Sequence, residues 1–581
     1  MMMEKLKPAP AQTVPGAKLT EIVPRWHLVA IALLLCAMLA QGISNIMAMS
    51  VTWDEAMYIG IGNYILRTGH IDFKHIDGLH FHPVYSFYLN SLLLLFLKLP
   101  PQTLQIPADG LYTFTAAREL LFHSGYSPEL ILFLIRLPIL LQTLLLGGFV
   151  YAFAKKLFGA NAGLLALALI AFDPNILAHS AIACTDSSIT CWILASTYFY
   201  YEYLTAPSRK WLWLTGAAVG LACLSKVSAP FLLAVVFPCM YLASRFQAGT
   251  LSLKSLLPVK WQLERKSGQH LIFVALIAAL MIWGAYGFGL SINYKTASEI
   301  QASGVTGAKA MMQSNNFIRL PLAPYINVVA FVTTAAVGIP RHAYLLGQNS
   351  ADGFRYYSFV TMLLKTPLAV LLLLLATIVG WKKLPRAGLT AETGLAVACL
   401  FQLFCALFEH ANCGIRYILP IYPLLYVWIS RLAPRSFDNF STNKRLAVQA
   451  LLILFVSLNA IESVSACPNQ IAYFNTFFNN PATKYHYIVD SNLDWGNELY
   501  DLRNYMREQQ IPEVSLQYFG NVDPKDYGIN WKAADRNSKG WVAISATNLA
   551  GAYLEEDEFA EFRKMQPRAV LSGGGMFIFY R

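Results

Sequence analysis

The stretch LVAIALLLCAMLAQGISNIMAMSVTWDEAMY, Leu28 to Tyr58, sets an uncharged, mostly apolar run just ahead of two adjacent carboxylates, Asp54 and Glu55. A run of the length of Leu28–Met47 suits a helix crossing the roughly 30 Å hydrocarbon core of a bilayer. Carboxylates at the edge of that core are costly unless they pair, hold a cation or face water. Beyond them, Tyr58, Ile61, Ile65 and Leu66 recur at helical spacing, which predicts an amphipathic helix along the interface. Acids at the start of such a helix are favoured by its dipole. The pair is therefore either a helix-end device or part of a site at the membrane surface, and the rest of the chain has to decide.

Composition places the chain in a membrane. Of 581 residues 56% are hydrophobic and 13% charged, with a mean hydropathy of +0.45, which excludes an ordinary soluble protein. Apolar runs predict about eleven spans, near 28–48, 130–153, 162–180, 187–204, 211–225, 227–244, 271–290, 360–380, 392–408, 415–430 and 446–464. Two further segments, 84–99 and 322–340, read as re-entrant or interfacial, giving a range of eleven to thirteen. Twenty Lys and Arg, among them Lys155, Lys156, Arg209 and Lys210, fall in the loops and tails of one side. The short loops of the other side hold Lys226 and Arg416. The positive-inside bias puts the N-terminus in the cytoplasm, and an odd span count puts the C-terminus outside. The first segment has no A-x-A-like cleavage site and reads as a retained helix. The net charge of +11 is largely this bias and points to no nucleic acid. The nine cysteines show neither metal-ligand spacing nor a disulfide framework; Cys413 and Cys467 share the outer side without other signs of a bridge.

Three outer segments are too long to be simple connections. Residues 49–129 carry seven acids, four bases and five of the eleven His, and residues 291–359 are rich in Lys and Arg. From 465 onward 25 of 117 residues are charged, against 52 of the other 464, so the composition changes there. The chain divides into a cytoplasmic tail (1–26), a transmembrane domain (27–464) and a periplasmic domain (465–581). In the last, YHYIVD, EVSLQYFG, GWVAISATN and the final MFIFYR read as strands, with helices at LDWGNELYDLRNYMREQQ and EEDEFAEFRKM. That alternation predicts a small α/β unit, either a cap or a substrate-binding element.

A second acid, Asp186, lies between the third and fourth spans in AFDPNILAHSAIACTDSS, on the same face and at the same depth as Asp54. It could equally cap the helix that starts there. Lys226, Arg341, Lys365 and Arg416 also fall near the outer ends of spans. Each alone could snorkel to headgroups. Together, on the face where positive charge is disfavoured, they point to an anionic ligand, and a lipid phosphate is the natural one. Acids to move protons beside cations to hold a phosphate suggest transfer from a lipid-phosphate donor. The competing reading is a transporter or flippase of a lipid-linked sugar; no internal repeat supports it.

The motifs WDEAMY (53–58), HFHPVYSFYLNSLLLLF (80–96), LIRLPILL (134–141), AFDPNILAHSAIACTD (171–186), GLACLSKVSAP (220–230), YLLGQNSADGFRYYSFVTMLLKTPL (344–368), GIRYILPIYPLLYV (414–427) and YIVDSNLDWGNELYDL (487–502) occur in an order that resembles the protein O-mannosyltransferase and aminoarabinose-transferase superfamily, glycosyltransferase family 39, of bacterial type. The resemblance implies a polytopic α-helical GT-C fold, a polyprenyl-phosphate-sugar donor and an inverting single displacement at the outer face of the inner membrane. It implies Asp54, or Glu55 beside it, as the catalytic carboxylate and Asp186 as the second acid. Lys226, Arg341, Lys365 and Arg416 are then candidates for the donor phosphate, with Tyr58 and His82 also lining the substrate site. His80 and His82 could hold a divalent metal ion. The sugar and the acceptor, whether protein, lipid or glycan, stay open.

Overall fold

The computed structural model describes residues 24–71, 73, 76–104, 112–249, 269–289, 321–338, 342–410, 412–433, 441–554 and 556–581. Arg341 and nearly half of the second outer segment, 291–320 and 339–341, lie outside the described residues. The longest helix, Pro128–Phe158, shows why the sequence folds this way. The Ser127 hydroxyl accepts the Leu130 N–H, Pro128 opens the first turn, Lys155 and Lys156 fall in the last turn, and Gly159 ends it at φ +95°.

Among the described residues five helices are long and apolar enough to cross a membrane: Arg25–Ala48, Pro128–Phe158, Ala229–Gln247, Leu389–Ala406 and Thr442–Ala466. Two bent pairs raise the number to seven. Ala160–Ala171 meets Pro174–Ser180 at 64°, and Tyr357–Lys365 meets Leu368–Gly380 at 112°. The expected count of eleven is thus not reached by length and composition. Two of the runs that read as continuous spans break at Asp173-Pro174 and Thr366-Pro367. Proline removes a helical N–H and drives the residue before it out of the helical region. Other expected spans form shorter or more polar helices, such as Asp186–Thr205, Arg209–Ser225 and Gln269–Ala285.

The helix after the two acids, Glu55–Thr68, exists as the spacing predicts. It does not lie open on the bilayer, however: Tyr58, Ile59, Ile61 and Ile65 are buried in protein. Its close neighbour is the helix Tyr85–Ser91. A Cβ on Gly62 would lie 2.3 Å from the Phe87 carbonyl oxygen, so only glycine permits this approach.

β1 (Ala343–Leu345) and β2 (Gln348–Ser350) form a hairpin, and the tail forms a separate five-stranded mixed sheet in which β4 (Trp531–Ala533), β3 (Val514–Gln517), β5 (Trp541–Ser545), β7 (Met576–Tyr580) and β6 (Ala569–Leu571) lie side by side in that order. β3 pairs in parallel with β4 and with β5. β7 runs antiparallel to both β5 and β6. Three of the expected strands are present; YHYIVD is instead turn and short 3₁₀ structure, and the acidic helix shrinks to Ala560–Arg563. Both faces of the sheet are packed against the rest of the chain. Leu516 and Ile578 share one core with Leu499, Leu502, Val51, Ile59 and Leu132. Ile544 and Phe577 share another with Tyr344, Tyr357 and Leu364.

Candidate active site

The short connection that follows the first helix delivers Asp54 to a cavity of about 710 Å³. Asp54, Tyr58, His82, Asp186, Lys226 and Arg416 all line it. Neither acid caps its helix: Asp54 makes no side-chain cap bond, and Asp186 sits one residue inside its helix, with Thr185 at the cap position. Instead each meets a cation. Arg416 Nη1 lies 2.6 Å from Asp54 Oδ2, and Lys226 Nζ lies 2.7 Å from Asp186 Oδ1. Asp186 also accepts from the Cys184 thiol at 3.4 Å. The Tyr417 ring adjoins both cations, 4.7 Å from the Lys226 ammonium and 5.5 Å from the Arg416 guanidinium. The cavity therefore holds two carboxylate–cation pairs bridged by one aromatic ring.

Arg416 is seated by the tail. The Trp495 ring centroid lies 4.4 Å from its guanidinium. Trp495 in turn holds the acid side, because its carbonyl accepts the Trp53 N–H at 2.8 Å. Asn492 accepts the Ile415 N–H at 3.0 Å, fixing the turn that bears Arg416. Gly414 makes room for this contact: its φ is +110°, and a Cβ there would lie 2.9 Å from Asn492 Oδ1.

Two expected site residues have other occupations. Glu55 is sealed in an ion pair with Arg136, both side chains 0% exposed. Arg136 donates Nε to Oε1 at 2.8 Å and Nη2 to Oε2 at 2.7 Å. Its remaining donors go to the Ile46, Met49 and Ser50 carbonyls. Glu55 further accepts the Thr52 and Ala183 N–H groups at 2.8 and 2.9 Å. Asp54 lines the cavity, whereas Glu55 does not. Its Ala183 bond ties the loop before Asp186 to the loop before Asp54, so Glu55 sets the spacing between the two acids. Lys365 likewise misses the cavity. It is buried and donates to the Ile471 and Asn492 carbonyls, each at 2.7 Å. Its reach to the site is indirect, through Asn492.

His80 and His82 part company. His80 Nε2 lies 3.0 Å from the Phe73 carbonyl, whereas His82 faces the cavity. Burial, against the pull of Asp54, lowers the His82 pKa to about 4, which leaves a neutral imidazole near neutral pH. Among the described residues no group of three or more His, Cys, Asp or Glu side chains converges as a metal would require. Cys413 and Cys467 are both free thiols. Sequence reasoning missed Arg136, Tyr417, Asn492 and Trp495. All four stood inside quoted motifs, but only the folded contacts reveal their partners.

Residues 131–283 match the family described as dolichyl-phosphate-mannose-protein mannosyltransferase. The matched stretch is about a quarter of the chain. It carries Arg136, Asp186 and Lys226, while Asp54 and Arg416 lie outside it. No curated protein matches the chain. Solved structures similar to it include the apo oligosaccharyltransferase of Archaeoglobus fulgidus, at TM-score 0.48 and 14% identity, over 84% of this chain and 58% of that one. The chain thus spans little more than half the length of that archaeal enzyme. ArnT from Cupriavidus metallidurans bound to undecaprenyl phosphate is similar at TM-score 0.47 and 12% identity, over 95% of this chain and 97% of that one. The Pmt1-Pmt2 protein O-mannosyltransferase complex of S. cerevisiae bound to the sugar donor is similar at TM-score 0.48 and 11% identity, over 77% and 90%.

Proposed function

We propose that the protein is a multi-pass glycosyltransferase of the inner membrane. It moves a sugar from a polyprenyl-phosphate donor to an acceptor hydroxyl at the outer face, with the N-terminus cytoplasmic and the sheet-bearing tail periplasmic. The observation that carries this reading is the paired arrangement in one cavity, Asp54 with Arg416 and Asp186 with Lys226. Such pairs suit an anionic ligand that competes for the cations. A donor phosphate taking Arg416 and Lys226 would release carboxylate oxygens that are otherwise bound.

The chemistry then balances as a single displacement. The acceptor oxygen forms a bond to the anomeric carbon from the face opposite the phosphate, so the configuration inverts. The anomeric carbon–oxygen bond to phosphate breaks, and its electron pair leaves with polyprenyl phosphate. The acceptor proton passes to Asp54, which must lie within hydrogen-bond reach of that hydroxyl. Arg416 and Lys226 stabilise the negative charge that collects on the departing phosphate. Asp186 holds Lys226 in place and is the second acid of the site. Tyr58 and the neutral His82 complete the wall and can hydrogen-bond sugar hydroxyls.

The test is incubation of the protein, reconstituted in liposomes, with a panel of polyprenyl-phosphate sugars. Release of free polyprenyl phosphate is the expected result. Movement of intact lipid-linked sugar across the bilayer, with no release, would make the protein a flippase instead.

A further inference from the structure

Trp53, immediately before Asp54, lines the cavity and is 39% exposed. It begins a stack of three rings that leaves the cavity along the tail. Trp53 stacks on Phe519 at 5.2 Å and 23°, and Phe519 stacks on Tyr553 at 5.6 Å and 15°. Tyr553, at the far end, is 37% exposed. Burying large aromatic rings is ordinarily favourable, so two solvent-facing rings held in one rigid stack beside a cavity are a feature to explain.

The stack is fixed from below. The Trp53 N–H donates to Trp495 and its carbonyl accepts from Asn521 Nδ2 at 2.6 Å, while the Phe519 N–H donates to Ser545 Oγ at 3.1 Å. The Tyr553 hydroxyl donates to Asp490 Oδ2 at 2.6 Å. Asp490 and Tyr553 both adopt left-handed backbone angles, φ +61° and +64°, which non-glycine residues rarely accept. Backbone strain of this kind persists only where surrounding contacts over-determine it, and it gathers at ligand sites. Here it is spent on holding one ring in register with the other two.

We infer that the Trp53–Phe519–Tyr553 stack is a platform for the sugar rings of an oligosaccharide acceptor. An aromatic face is electron-rich and attracts polarised C–H groups. A pyranose presents such C–H groups on a flat face and hydroxyls around its rim. A ring seated at Trp53 would put its rim beside Asp54, the residue next in sequence. Gln402 also lines the cavity, and its amide oxygen is an acceptor suited to hydroxyls. A rigid, flat platform favours a ligand that is itself rigid and flat, because little conformational freedom is lost on binding. The inference deepens the proposed transferase and rests on it for the acceptor role of the bound sugar.

The experiment reads binding without donor, so it stands apart from transfer. The full chain in lipid nanodiscs, free of sugar-headed detergent, is titrated with tetrasaccharides of glucose, galactose and mannose, and separately with a Ser/Thr-rich peptide. Saturation-transfer difference NMR reports the bound protons. At least one tetrasaccharide should bind, with ring protons saturated. Tyr553→Leu and Trp53→Leu should each weaken it about threefold to tenfold, the size of an aromatic contact. Tyr553→Phe keeps the ring but loses the Asp490 bond, so it should weaken binding less than Tyr553→Leu does, which separates lost stacking from lost folding. A chain that binds a tetrasaccharide yet releases no polyprenyl phosphate from any donor would support the platform and overturn only the transferase reading. The platform is overturned if no tetrasaccharide binds, or if binding survives both Leu variants unchanged. Peptide binding that is lost in the Leu variants, without tetrasaccharide binding, would overturn it in favour of a polypeptide ligand.

Discussion

Asp54 and Glu55 are neighbours in sequence, carry the same charge and each meet an arginine, yet they live in opposite surroundings. The side chains of Glu55 and Arg136 are 0% exposed, and both oxygens of Glu55 are fully engaged. Asp54 is 25% exposed at the side chain, and its partner Arg416 13%, with one oxygen in the ion pair and a cavity in front of it. A carboxylate becomes chemically useful when it has a lone pair to offer and a partner that a ligand can draw away. A carboxylate with every lone pair occupied is a structural bolt, however close to the chemistry it lies. Under the proposed function the pair divides into one residue that reacts and one that fixes where reaction happens.

Four substitutions sharpen or break that division. Asp54→Asn should lower turnover about 10²–10⁴-fold, the usual contribution of a positioned base, while expression and thermal stability hold. Near-normal release of polyprenyl phosphate by this variant would remove Asp54 from the chemistry. Glu55→Gln should act on stability first. It leaves Arg136 buried without its counter-charge, which typically costs about 3–5 kcal/mol, visible as a large loss of thermal stability or of folded yield. An Asn-like tolerance at position 55 together with lost turnover would invert the assignment of the two acids. Arg416→Lys keeps the charge but loses the planar fork and its stacking on Trp495, so the donor KM should rise about tenfold with the acceptor KM little changed.

The smallest effect concerns a third carboxylate setting, in the tail. Glu498 is buried with Asp494 close by. Burial, then the Asp494 charge, raises the Glu498 pKa well above its ordinary value, and burial raises that of Asp494 as well. The folded state thus keeps a proton that the unfolded chain releases. That stabilisation is complete below the ordinary carboxylate range and is lost as pH rises through the folded-state values. Melting temperatures from pH 5 to 9 should decline with rising pH in the wild type and decline less in Glu498→Gln. Equal slopes would show that this pair does not govern the pH response.

Much of the architecture was legible in the sequence because hydrocarbon leaves few choices. Asp54 and Asp186, which the sequence put on one face at one depth, line one cavity. The span count was less legible because hydropathy does not register a break: FDP and KTP interrupt apolar runs with a single proline each, and the chain turns there by 64° and 112°. The cation assignments divided for a related reason. Lys226 and Arg416 reach the cavity, but Lys365 sits on one of those broken helices and turns inward to carbonyls of the tail. Nothing local in MLLKTPLAV distinguishes the two outcomes, since the partners lie more than a hundred residues away in the chain. A separation of 81 residues likewise hid the Arg136–Glu55 pair. The strand expected at YHYIVD failed because that segment spends its backbone on contacts with its neighbours: the Tyr487 carbonyl accepts from Leu346, and the Asp490 N–H donates to Thr547.

The segment Asp490–Asn497 runs beneath the cavity and touches both of its sides. Ser50 reaches it twice, by its N–H to Asn497 and its hydroxyl to Gly496, while Trp495 and Asn492 seat Arg416. The tail is consequently not an exchangeable module, although its composition marks a border near 465. A chimera joined there would import half the seat of Arg416 from one parent and the guanidinium itself from the other. Recombination should preserve function only when the donor tail brings a matching DSNLDWGN strap, so the heritable unit of this protein is the strap together with the helices that it underpins.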